Sequence, residues 1–286
     1  MTSKPANQQF NFARWRLLVA KQWAEHRRRY LLALVAIAGL IAAWEAFLLG
    51  MSAYAPLDPV MQFGTYMSGL WFIGCLYASS LFADLGTRKQ ALPWLSLPAS
   101  HLEKLLSALL FGIPGFFLAY TLVFYLVDIP MVHWANTILS HHPRNWPGSD
   151  QPIPPSLVYN FITAAGSPVP EKDFRLFTAG YFAVQSAFVL GSVYFSRFAF
   201  FKTVVSILLF VLATAVFQRL VIYPLLPAGW ANNILHWTQE IDEREVPLSQ
   251  VRLAWPIEPA LILIMQFGLV PFFWLVTWFR LKEKEV

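Results

Sequence analysis

The stretch Arg27-Arg28-Arg29-Tyr30, running directly into LLALVAIAGLIAAWEAFLLGM at residues 31–51, decides the fold class. From Leu31 to Met51 there are 21 residues with one charge among them, Glu45. At about 1.5 Å rise per residue such a segment is about 30 Å long as a helix, the thickness of a bilayer's hydrocarbon core. Three arginines at its mouth anchor one end on a charged surface. The segment reads as a membrane-spanning helix.

Five more apolar runs of similar length follow: Val60 to Phe82, Leu105 to Val127, Phe177 to Phe195, Phe200 to Leu220 and Ala260 to Phe279. The fourth run is diluted by Gln185 and several small residues. Composition agrees with this reading. Of the 286 residues, 57% are hydrophobic and 13% are charged, about half the charged share of a soluble domain. The expected fold is therefore all-α, one polytopic membrane domain over residues 1–286 with six transmembrane helices.

Charge sets the expected orientation. With the N-terminus cytoplasmic, the inner segments hold 15 of the 21 Lys and Arg residues, leaving 6 outside or at the outer boundary. Topology follows this excess, so both termini are expected in the cytoplasm of a bacterial inner membrane. The same clustering beside apolar runs argues against nucleic acid as a partner, despite the net charge of +5. Membrane lipid is the expected neighbour. No convincing cleavage site follows the first run, so that span is expected to stay in the mature protein.

Residues 1–30 contain Phe12, Trp15, Leu18 and Val19 at helical spacing, interleaved with Arg14, Arg16, Lys21 and Arg27. That pattern suits a basic interfacial helix lying along the inner leaflet, an elbow before the first span. The alternative is a straight continuation of the first span.

The segment 83–104 carries two capping boxes, Thr87 with Gln90 and Ser100 with Glu103. In each, a hydroxyl and a carboxylate or amide satisfy backbone donors at a helix start. A short cytoplasmic helix is expected here, set apart from the third membrane helix by Pro93 and Pro98. Two extracytoplasmic segments, 128–176 and 223–259, are rich in Pro, Trp and polar residues.

Signals for chemistry are sparse. The phosphate cradle G-x-x-x-x-G-K-[ST] is absent, so no nucleotide hydrolysis is expected of this chain, and no G-x-S-x-G elbow occurs. No enzyme activity and no bound cofactor are expected. His133, His141 and His142, near Asp128 and Asp150, have the right atoms for zinc but no diagnostic spacing; solvated loop histidines are the other reading. Cys75 lies inside an apolar run and reads as a buried, inert thiol. Glu45, within the first span, either lines a substrate path, or pairs with a polar partner or lies near the interface. Gln185, Gln218, Arg219 and Gln266 read as interhelical hydrogen-bonding groups.

The stretch Phe82-Ala83-Asp84-Leu85, followed by Leu97-Pro98-Ala99-Ser100-His101-Leu102-Glu103-Lys104, resembles the LPAS-x-x-EK segment of some bacterial ABC-2 type transporter permeases. The organisation of elbow, six spans and a structured loop after the second span is also similar to that family. The resemblance implies a transmembrane permease subunit that exports or extracts a lipid-like, peptide or drug-like substrate by alternating access. It implies an ATP-binding ABC subunit as partner, with ATP and Mg held there, and a second permease subunit completing the path. It also implies that 83–104 is a coupling loop, with Asp84, Arg88, Lys89, Glu103 and Lys104 as docking residues. The chain departs from the family in its long first outer segment; the stretch after Tyr223 could supply the family's re-entrant element before the sixth span. A different class, a non-transporting membrane scaffold or sensor, fits the same organisation without an ATPase partner. An intramembrane enzyme built on Glu45 or the outer histidines fits least well.

Overall fold

The structure, a computed structural model, describes residues 10–51, 57–83, 99–141, 145, 150–160, 171–217, 219–220 and 268–284. Among these residues it is helical, without a β-strand. Six continuous helices are described: α1 (Phe12–Met51), α2 (Pro59–Ser80), α3 (His101–His141), α4 (Glu171–Tyr194), α5 (Ala199–Phe217) and α6 (Leu269–Lys284). Three of them, α1, α3 and α5, are long and apolar enough to cross a membrane.

The sequence expectation of a separate elbow is corrected by α1. Its 40 residues form one unbroken helix, about 60 Å long and so roughly twice the hydrocarbon thickness. Nothing in residues 12–30 breaks a helix, since no Pro or Gly occurs from Phe12 to Ala38. One inward stripe continues through both halves: Trp15, Leu18, Gln22, His26, Tyr30, Leu34, Ile37, Ile41 and Glu45 are all buried or half-buried. This near-3.6-residue spacing keeps one face on the bundle.

Helix α3 is longer than the apolar run 105–127. It begins at the Ser100 cap as expected, and it runs past Asp128 and Pro130 to His141. The part of the first outer segment that lies in 128–141 is therefore a helical continuation of α3. Within α3, residues Phe111–Gly115 form a π turn around Pro114. Proline removes a helical donor. In the same turn Gln185 Nε2 of α4 donates to the Gly112 carbonyl at 2.8 Å, the interhelical use read for this residue.

The helices alternate in direction, which gathers the N-termini of α1, α3 and α5 and the C-termini of α2, α4 and α6 at one end, called basal below. Arg280 of α6 lies over the Tyr194 ring of α4 at 4.7 Å, and Lys202 of α5 over Phe195 at 5.7 Å. Phe198, in the turn between α4 and α5, has a left-handed backbone with φ 54°.

Polarity is arranged inside out. The less apolar helices α2 and α4 lie centrally and turn Gln62, Thr65, Ser79, Gln185, Ser186 and Ser192 inward, all buried. By contrast α5 buries only Thr203 and leaves Leu208, Phe210 and Leu212 at least 60% exposed. Such an apolar surface is a liability in water and is suited to lipid or to another apolar helix.

Small residues permit close packing at the centre, where lipid-like surroundings offer no hydrophobic drive and contact itself must hold helices together. A Cβ added at Gly74 of α2 would sit 2.8 Å from the Tyr181 hydroxyl of α4 and 3.2 Å from the Phe116 ring of α3. Cys75 beside it is buried and free, as its apolar neighbours suggested.

Candidate functional site

At the basal end the first and third helices are tied through one carboxylate. The Asn11 side chain accepts from Ala13 N at 3.0 Å and so caps α1. Ser100 caps α3, its hydroxyl accepting from Glu103 N at 3.3 Å while Ser100 N donates to Glu103 Oε2 at 2.9 Å. The capping box read from sequence is thus formed. What the box did not reveal is that Glu103 does more than cap. Arg14 Nε donates to Oε2 at 2.8 Å and Nη2 to Oε1 at 2.7 Å, and Asn11 N donates to Oε1 at 2.7 Å.

Each oxygen of Glu103 therefore receives two donors, the full capacity of a carboxylate. The side chain is completely buried. Burial pushes its carboxyl up, but the bonds from Arg14, Asn11 and Ser100, with the guanidinium charge, outweigh that and hold it below the ordinary carboxylate range. Glu103, read as a docking charge, spends its bonding capacity inside the chain. Lys104, read in the same way, is buried at 3% exposure. Asp84, Arg88 and Lys89 lie outside the described residues.

The other end holds a second charged feature. Ile41 and Glu45 form one inward turn of α1, and Tyr120, Phe124 and Asp128 form the inward stripe of α3. Glu45 and Asp128 are buried to 1% and 0% exposure and lie near enough to act on each other electrostatically. None of their four carboxylate oxygens has a hydrogen-bond partner among the described residues. The sequence reading singled out Glu45 but assigned Asp128 to the outer segment. The i, i+4, i+8 register from Tyr120 was the signal that α3 carries Asp128 inward.

A segment at 150–160 is fastened over this end of the bundle. Gln62 Nε2 donates to the carbonyls of Leu57 at 3.0 Å and Leu157 at 2.9 Å, while its Oε1 accepts from Tyr159 N at 2.8 Å. Asn136 is bonded to both backbone groups of Ser156, and the Tyr125 hydroxyl donates to the Tyr159 carbonyl. Ile153 and Tyr159 are buried beneath it. Sequence reading missed this clamp, because amides so far apart in the chain carry no local pattern.

Zinc was the minor reading of the outer histidines, and the described ones give it no cluster. His133 and His141 are exposed on α3, His142 lies outside the described residues, and no group of three metal-ligating side chains occurs among the described residues. Gln218 and Gln266 lie outside the described residues, and Arg219 is exposed. Compared with protein-family models, with curated proteins and with solved structures, the chain matches none.

Proposed function

We propose that this chain is the six-span transmembrane subunit of an ABC-2 type transporter, with both termini in the cytoplasm of a bacterial inner membrane. ATP and Mg are held by a separate ABC subunit, and a second permease subunit completes the path. The observation that supports this most is the four-bond junction on Glu103. It lies at the end of the segment that resembles the family's coupling region and ties the start of α3 to the start of α1. A displacement of the start of α3 is thereby passed to α1 as well.

In this reading Glu103 is a positioning residue, and docking falls to Asp84, Arg88 and Lys89. Glu45 and Asp128 lie at the far end of the same two helices and supply the polar part of a substrate path. Charged groups at membrane depth ordinarily face protein or a water-filled route.

The test is purification in mild detergent from the native host, with mass spectrometry of what accompanies the chain. Recovery of a P-loop ATPase, dislodged by Arg88→Glu with Lys89→Glu, supports the reading. An intact chain without an ATPase points to the scaffold class.

A further inference from the structure

Away from the Glu103 junction, the bundle holds the carboxyls of Glu45 on α1 and Asp128 on α3. They come from different helices, are buried to 1% and 0% exposure, and act on each other electrostatically. Ile41 and Phe124, one turn before them on the same helices, belong to a single apolar cluster. The ionisable side chains in that cluster are phenols: Tyr66 of α2, Tyr120 of α3, Tyr159 of the 150–160 segment and Tyr181 of α4. Tyr120, which lies within electrostatic reach of Glu45, donates its hydroxyl to the Tyr66 carbonyl at 3.1 Å. The Tyr66 hydroxyl is bonded to Thr121 Oγ1 at 2.8 Å.

These surroundings limit what the pair can hold. An ionised carboxylate in an interior without a partner is costly, and a second one beside it adds repulsion. None of the four oxygens has a hydrogen-bond partner among the described residues, so no donor offsets that cost. At this burial no surface is left for a molecule the size of water to touch. A calcium ion takes about six to eight oxygen ligands, more than two carboxyls supply. A proton needs neither room nor a ligand shell. We infer that Glu45 and Asp128 form a proton-binding pair, which takes a proton from the aqueous phase onto a carboxylate oxygen and keeps at least one of the two uncharged at neutral pH. The O–H bond formed on uptake is the bond broken on release. Neither an ATPase nor a transported substrate takes part, so the pair stands or falls separately from the transport reading.

The test is infrared spectroscopy of the full chain in detergent at neutral pH, read at the carbonyl stretch of an un-ionised carboxylic acid, which lies above the amide bands. The wild-type chain should show this band. Glu45→Gln combined with Asp128→Asn should abolish it. Each substitution alone should leave a band at a changed frequency, since the remaining carboxyl is still buried and still holds a proton. Glu25→Gln, exposed on the same helix as Glu45, should leave the spectrum in this region unchanged. Melting temperatures at or above that of the wild type will show that the variants fold. The wild-type spectrum tests the pair even without them, because a folded chain lacking the band at neutral pH would overturn the assignment. A band that the double variant keeps undiminished would overturn it as well. So would a band removed by sodium or calcium chloride at fixed pH, which would assign the pair to a metal cation.

Discussion

Arg14 and Glu103 are 89 residues apart and meet through two parallel bonds, Nε to Oε2 at 2.8 Å and Nη2 to Oε1 at 2.7 Å. The fork geometry makes the junction directional and ties the start of α3 to the start of α1. A double-mutant cycle measures this coupling. Glu103→Gln and Arg14→Gln should each lower the melting temperature in detergent, and the double variant should fall no lower than the worse single one. Arg14→Lys should recover only part of the loss, because an ammonium cannot reproduce the two-pronged contact. Additive losses would mean that the two side chains act separately.

Acid should open the same junction. The Glu103 carboxyl is held below its ordinary range, so the folded state binds this proton less readily than the unfolded chain does. Its contribution is present above the unfolded value, about 4.3, and is lost as pH falls through the lower folded value. Melting temperatures of the wild-type chain and Glu103→Gln should differ by a constant amount from neutrality down to about pH 5, and converge below about pH 4. A gap that widens on acidification would contradict the sign.

Gly74 tests the closeness of the central helices. Gly74→Ala places a methyl group 2.8 Å from the Tyr181 hydroxyl and 3.0 Å from its ring, an overpacking expected to cost about 1–3 kcal/mol. Tyr181→Phe removes the nearest atom, and combining the two should return part of that loss. Thermal unfolding of the four chains gives the coupling directly.

Glu45 and Asp128 should behave in the opposite way. Burying a carboxyl without a partner is costly, so Glu45→Gln and Asp128→Asn should leave the melting temperature unchanged or raise it by on the order of 1 kcal/mol equivalent. If the two line a substrate path, the same substitutions should reduce transport in vesicles. A clear drop in stability from either one would assign it a structural role instead.

The boundary between local and distant information explains which readings held. The Ser100 with Glu103 box was legible because its partners are three residues apart and form within one turn. The burial of Cys75 and the interhelical bond of Gln185 followed from polarity against an apolar background. The elbow expected in residues 1–30 was not found, because basic residues at helical spacing suit a tangential helix and a straight one equally. The burial of Asp128 was not read from the sequence because a carboxylate followed by Pro130 resembles the end of a span. Proline withdraws only one donor, and α3 continues through it.

By itself, then, the sequence determined the long apolar helices, the cap at the start of α3 and the clustering of basic residues beside the first span, since these depend on run length, periodicity and contacts within a turn. Only the tertiary structure decided that Arg14 closes on Glu103, that Glu45 and Asp128 share an interior, and that Gln62 and Asn136 clamp the 150–160 segment. Each of these joins residues from different segments, and their meeting is set by how the helices pack against one another, which no local pattern encodes.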